Sequence, residues 1–170
     1  MTRFPAARGF TLVAAISMAL ALGACAHNPD DANPLNGGLG ANGAAGAPGS
    51  VQEFTASVGD RVFFETDSTE LTSVGQTTLD HQAQWLNQYS RYAFTIEGHA
   101  DERGTREYNF ALGARRAESA KDYLISKGIS GSRIKTISYG KERPVAVCDD
   151  ISCWSQNRRA VTVLAGASGS

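Results

Sequence analysis

The sequence predicts an α+β fold of two layers, β-α-β-α-β-β, with two long helices on one face of a mixed four-stranded sheet. Three observations predict it. Leu71–Tyr89 and Thr105–Lys127 carry apolar residues at helical spacing. Short runs rich in bulky residues stand before, between and after them. The first fifty residues differ in character from the rest, so the core belongs to residues 51–165. With 42% hydrophobic and 19% charged residues overall, such a stretch can close one globular core.

Order is expected to begin near Val51–Phe54. Val58–Phe64 reads as the first strand and leads into the polar loop Glu65–Glu70. In the first helix Leu79, Ala83 and Leu86 recur on one face, and Thr69 or Thr72 is placed to cap it. Arg91–Glu97 is the second strand, with bulk from Ala93, Phe94 and Ile96, and it breaks at Gly98. The second helix has Tyr108, Leu112, Ala120, Tyr123 and Leu124 as a buried stripe and Gly128 as its natural stop. Ile134–Tyr139 is the third strand, Ser155–Arg158 a helical turn and Ala160–Leu164 the last strand. A β-α-β-α-β-β order lets two helices cover one sheet face. Residues 166–170 read as a disordered tail.

The formal net charge is -1, with no basic surplus to hold nucleic acid. The amino terminus has its own signature. Arg3 and Arg8 precede the apolar run Phe10–Leu22, which is too short for a comfortable membrane span of about 20 residues. A basic start followed by a short apolar run reads as a secretory signal over residues 1–24. Its end, Leu22-Gly23-Ala24-Cys25, resembles the lipobox of bacterial lipoproteins. That resemblance implies cleavage before Cys25 and acylation of its sulfur and new amino terminus, S-diacylglycerol and N-palmitoyl. The alternative is an ordinary signal that contains a cysteine. Ala26 rather than an acid follows Cys25, which by resemblance points to the outer membrane. Losing two leader arginines from 16 basic residues leaves 14 against 17 acidic. Residues 25–50 hold six glycines and three prolines after the cysteine and read as a flexible tether, about 27 Å long as a coil.

The polar stretch Thr95–Arg116 is where function is expected. It leaves a strand, passes His99, Asp101, Glu102 and Arg103, and enters a helix, the place where α/β chains put ligands. Asp101 and Arg116, fifteen residues apart, can converge on the two ends of a zwitterion if the helix runs back beside the strand end. An ionised Asp only accepts hydrogen bonds, and Arg offers a planar fork to a carboxylate.

EGHADERGT, followed by YNFALGARRA and QNRRAV, resembles the peptidoglycan-associated lipoproteins, whose periplasmic domain is shared with the OmpA family. The resemblance covers about residues 61–164, and the lipobox and tether agree with it. It implies non-covalent binding of the diaminopimelate side chain of peptidoglycan, with Asp101 on the ammonium and Arg116 on the carboxylate. Asn109, Leu112 and the loop Thr66-Asp67-Ser68 match positions lining the same groove. It further implies a place in the Tol–Pal system, with TolB as a protein partner competing for the groove, and roles in envelope integrity and cell division. No enzyme activity, cofactor or metal is implied. The first loop, ETDSTEL, departs from the family pattern, which usually has an aspartate with a lysine or tyrosine.

Other readings stand beside these. Asp101 can cap the helix or pair with Arg103, and Arg116 can pair with Glu107 or Glu118. Arg115 lies about 100° round the helix and outside the pocket. Arg158 and Arg159 are expected to pair with acids under the sheet, Arg158 also at the rim, and His99 to donate a supporting hydrogen bond. Trp85 and Tyr89 read as core or linker-facing. Cys148 and Cys153, with four residues between them in an exported chain, are expected to close a disulfide, the alternative being two free thiols. Against the binding function stand a metal-assisted wall hydrolase using His99, Asp101 and Glu102, and a scaffold that meets only proteins.

Overall fold

The computed structural model describes residues 46–165. The signal 1–24, Cys25, most of the tether and the tail 166–170 lie outside the described residues. The chain enters through a short helix, α1 (Val51–Glu53), continued by a wider π-helical turn, Phe54–Gly59. It then forms β1 (Arg61–Phe63), α2 (Ser73–Gln88), β2 (Phe94–His99), α3 (Arg106–Ser126), β3 (Ile134–Gly140), α4 (Ile151–Asn157) and β4 (Arg159–Leu164). The four strands make one sheet in the order β1-β4-β2-β3. β4 is antiparallel to both β1 and β2, and β2 is parallel to β3.

Sheet register puts both long helices on one face. Ile96 pairs with Thr162 and Gly98 with Ala160, so these four positions share a side. Gln82 of α2 bonds Thr162 across 2.8 Å, and Gly113 of α3 lies against Gly98. Between the layers sit Leu79, Ala83 and Leu86 of α2, Ala117, Ala120 and Leu124 of α3, and Phe94, Ile96, Ala160 and Leu164 of the sheet. Beside them Trp85 packs between Phe54, Tyr89 and Tyr92, with ring centroids 4.6–5.3 Å apart, and donates its indole N–H to Glu53.

Local chemistry explains the helix ends. Thr72 caps α2 by accepting from Gly75, and Thr105 caps α3 by accepting from Tyr108. Gly128 takes φ 93° beyond α3, and Ile129 N–H bonds back to Leu124.

Four expectations need correction. Val58 and Gly59 belong to the π-helical turn, whose last carbonyl, that of Gly59, accepts from Gln82 Nε2, and β1 begins only at Arg61. β2 does not break at Gly98 but runs to His99 with a register shift there; Ala93 lies before it, exposed. The last helical turn is a full helix starting at Ile151, since the Asp150 side chain caps it. Tyr108 is exposed rather than in the buried stripe, because the first turn of α3 projects beyond the sheet.

Candidate functional site

The topology gathers one set of loops at one sheet end. The carboxyl ends of β1 and β2 adjoin the start of β4, so loop 64–72, the bend 100–105 and Arg158 meet there. The first turns of α3 close the same end. Gly98 decides how deep α3 sits: a Cβ there would meet the Gly113 carbonyl oxygen at 1.8 Å. That close approach carries Arg116, one turn on, beneath the strand end.

A groove of about 300 Å³ lies at this point. It is lined by Thr66 and Asp67 from the first loop, Asp101 and Arg103 from the bend, and Asn109, Leu112 and Arg116 from α3. Gly104 and Tyr108 complete its wall. Of the seven expected binding residues, only Ser68 is outside the lining, and its carbonyl accepts from Arg116 Nε at 2.9 Å. Asp101 and Arg116 therefore flank one hollow. A larger hollow of about 450 Å³ between β1, α2 and α4 has a mostly apolar lining that includes Val62, Phe63, Phe64 and Val74. Its charged lining residues are Arg61, Glu65 and Arg158, and none of the seven expected binding residues lines it.

Arg116 is fully buried. Besides Ser68, it donates to the carbonyls of His99 (2.8 Å) and Glu65 (3.2 Å). Three of a guanidinium's five N–H donors are thus used on backbone, and two are spare. It forms no ion pair among the described residues, with Glu107 and Glu118 included. Burial, then the nearby Arg158, lowers its pKa to about 10, with Asp101 and Asp67 opposing. It remains a cation at neutral pH, and a buried cation with spare donors is suited to meet an anion.

Asp101 is 7% exposed. Its Oδ2 accepts from Arg103 Nη2 at 2.7 Å and Arg158 Nη1 at 3.4 Å, while its Oδ1 holds only longer bonds to Arg103, 3.2 and 3.3 Å. Burial pushes this carboxyl upward, but the bonds from Arg103 outweigh it and hold the pKa below the usual value. Asp101 does pair with Arg103, as one reading had it, but helix capping falls to Thr105.

Asn109 is buried and ties the bend to α3 by donating to the Arg103 carbonyl at 2.7 Å. Asp67 has φ 55°, the one positive value at a non-glycine among the described residues, and accepts a bond from the Tyr108 hydroxyl. Left-handed backbone at such a residue marks a site held by its surroundings. The N–H groups of Thr66 and Asp67 have no acceptor among the described residues. Arg115 is exposed and outside the groove.

Arg158 pairs with an acid as expected, Asp101 at 3.4 Å, and it is buried and donates to the Phe64 carbonyl at 2.9 Å. Arg159, expected to pair with an acid, instead bonds the carbonyls of Asn157 and Arg143. His99 makes no hydrogen bond among the described residues, and the nearest carboxylate, Glu97, is 3.8 Å from Nε2. Its ring lies against Tyr139, and burial first, then Arg159 and Arg143, lowers its pKa to about 4. Among the described residues no three His, Cys, Asp or Glu gather as a metal site. Cys148 and Cys153 are joined, with Cα atoms 5.7 Å apart.

His99 yields a pH prediction. Its folded pKa lies below the unfolded value near 6.5, so its contribution is complete above 6.5 and is lost as pH falls toward 4. Relative to His99→Phe, the natural chain is expected to lose on the order of 2 kcal/mol across that window. Urea unfolding of both proteins at pH 7, 5.5 and 4 checks this; parallel profiles would contradict it.

Residues 63–158 match the model of the OmpA family. The chain is 62% identical over 160 residues to the peptidoglycan-associated lipoprotein of Mesorhizobium japonicum, covering 94% of each chain. It is 42% identical over 153 residues to that of Pseudomonas aeruginosa, covering 85% of this chain and 90% of the relative. The crystal structure of the peptidoglycan-associated lipoprotein from Burkholderia pseudomallei superposes with TM-score 0.62 at 38% identity, over 65% of this chain and 95% of that one. The C-terminal domain of Helicobacter pylori MotB, at 21% identity and TM-score 0.59, shares the fold over 64% of this chain and 86% of that one. The chain belongs to the OmpA family, in the group of the peptidoglycan-associated lipoproteins.

Proposed function

We propose that this domain binds peptidoglycan non-covalently by gripping the free head group of diaminopimelate. The observation that carries the reading is a buried guanidinium with two spare donors lining the same groove as a buried carboxylate. The head group is an amino acid, with an ammonium and a carboxylate on one carbon. Arg116 takes the carboxylate in two parallel bonds, helped by the N–H groups of Thr66 and Asp67. The ammonium goes to Asp101, and Leu112 and Asn109 form the walls. No step breaks or makes a covalent bond, and the reading is of a binder rather than an enzyme.

Acylated Cys25 holds the chain in the outer membrane, and the tether lets the domain reach the wall. Several acyl chains anchor a protein far more firmly than one. By family resemblance the chain works in the Tol–Pal system, with TolB competing for the groove, in envelope integrity and cell division. Cys25→Ser is expected to abolish metabolic palmitate labelling; a labelled variant would refute the anchor.

Co-sedimentation with purified sacculi tests the binding. Asp101→Asn keeps the shape of the side chain but leaves the ligand ammonium unpaired, a loss on the order of 2–5 kcal/mol. Near-normal sedimentation of a folded Asp101→Asn protein would remove the assignment. Release of soluble wall fragments would instead favour a hydrolase.

A further inference from the structure

The disulfide-closed segment before β4 is not used by the binding reading, yet it touches the acidic bend at several points. Trp154, on α4, lies over Arg103, with the guanidinium carbon 4.1 Å from its ring centroid. The Trp154 indole N–H donates to the Glu102 carboxylate. Arg158, the residue that ends α4, reaches Asp101. Lys141, just after β3, donates to the carbonyls of Glu102 and Gly104 at 3.0 and 2.7 Å.

α4 has only seven residues, too few to persist on helical propensity alone. Its place is held from outside. Asp150 caps its start, and Cys153 within it is buried and bridged to Cys148. Buried Asn157 at its end accepts from the N–H groups of Val145 and Ala146 and donates to the Ala146 carbonyl.

We infer that Trp154 is a positioning residue for the ligand-binding acid: the disulfide-stapled helix seats its indole on Arg103, and Arg103 in turn orients Asp101. The inference rests on the binding reading above. The bond lengths give the reason. Arg103 Nη2 binds Oδ2 at 2.7 Å, whereas Oδ1 carries only bonds of 3.2 and 3.3 Å. Oδ1, held only by the longer bonds, is therefore the oxygen a ligand ammonium can claim, provided the short Arg103 bond stays on Oδ2. Arg103 is an exposed side chain on a bend, and alone it has many rotamers. Stacking on an indole that is itself held by Glu102 restricts them. Released, its cation is free to shift its short bond from Oδ2 to Oδ1 or to repel the ammonium. In this view the disulfide acts at a distance, through α4, on a groove neither cysteine lines.

A double-mutant cycle with the full chain and diaminopimelate-containing sacculi tests this. Trp154→Ala is expected to weaken binding about fivefold, and Trp154→Phe, which keeps a stacking face, by less than about twofold. In an Arg103→Ala background Trp154→Ala is expected to do nothing further, which a general structural defect would not reproduce. The paired change Cys148→Ser with Cys153→Ser is expected to weaken binding in the Trp154 protein and not in Trp154→Ala. Unchanged binding by Trp154→Ala, or equal losses with and without Arg103, overturns the inference. A ligand-free readout separates it from the binding reading. In carbonyl-carbon NMR titrations, Trp154→Ala is expected to raise the Asp101 midpoint, again only when Arg103 is present. If the unaltered chain ignores sacculi, the binding reading fails, and an unmoved Asp101 midpoint overturns the positioning role as well.

Discussion

Arg116→Lys is expected to cost at least about tenfold in affinity for peptidoglycan although the groove keeps its charge. A lysine ammonium has three donors on one atom and no planar fork. It cannot serve the carbonyls of Ser68, His99 and Glu65 and also present two parallel bonds to a carboxylate. Each lost bond to a charged group is worth about 1.5–3 kcal/mol. The same geometry makes Arg116→Ala a different case. That change removes the contacts tying loop 64–72 to β2 and leaves three carbonyls short of a donor, so it lowers stability as well as binding. Equilibrium sedimentation with sacculi, paired with a thermal melt, distinguishes the two effects. Tenfold loss in a lysine variant with a near-normal melt is the expected result; unchanged affinity would argue against a bidentate carboxylate site.

Gly98→Ala is expected to be the most damaging single methyl in the domain. The added Cβ would sit 1.8 Å from the Gly113 carbonyl oxygen and 3.2 Å from Ala117 Cβ. The first of these is backbone, so no side-chain rotation relieves it. Overpacking typically costs 1–3 kcal/mol, and a clash of β2 with α3 is expected at about 3 kcal/mol or more. Because α3 must lift, Arg116 leaves the strand end too, and binding falls with stability. Urea unfolding of Gly98→Ala checks the size; a loss under about 1 kcal/mol would contradict this account of how α3 is seated. Gly104→Ala, also in the groove wall but with the nearest atom at 3.7 Å, is limited instead by its φ of 86°.

These two cases mark what could be read from the chain beforehand. The helices were legible because Leu79, Ala83 and Leu86, or Leu112, Ala120 and Leu124, repeat at a period set by the helix itself. Thr72, Thr105 and Gly128 were legible for the same reason: caps act within a few residues. Gly98 was misread as a break, since a glycine in a strand looks the same whether the chain ends there or a helix lies on it. Only the packing of Gly113 opposite it distinguishes these.

The site divides along the same line. The convergence of Asp101 and Arg116 on one groove followed from a bend leading into a helix, with family resemblance naming the ligand. Arg158 was expected to pair with an acid, but that the acid is Asp101 depends on the antiparallel pairing of β4 with β1 and β2, which periodicity does not reveal. Tyr108 was placed in the core because an aromatic on the apolar side of a helix usually is buried; α3 overhangs the sheet, so its first turn makes groove wall instead. Trp154 gave no signal in sequence at all, as its partner Arg103 is some fifty residues away. His99 looked like a hydrogen-bonder beside a polar bend, but the strand turns its ring toward Tyr139.

The clasp itself is tested most directly by comparing two short stem peptides that differ in one group. One ends in meso-diaminopimelate; the other ends in lysine, which has the same ammonium-bearing chain without the second carboxylate. Titration calorimetry of the full chain is expected to give binding of the diaminopimelate peptide and at least thirtyfold weaker binding of the lysine peptide, since Arg116 would be left buried and unpaired, a penalty of about 2–5 kcal/mol. Equal affinity for the two peptides would contradict a site built on Arg116 and Asp101.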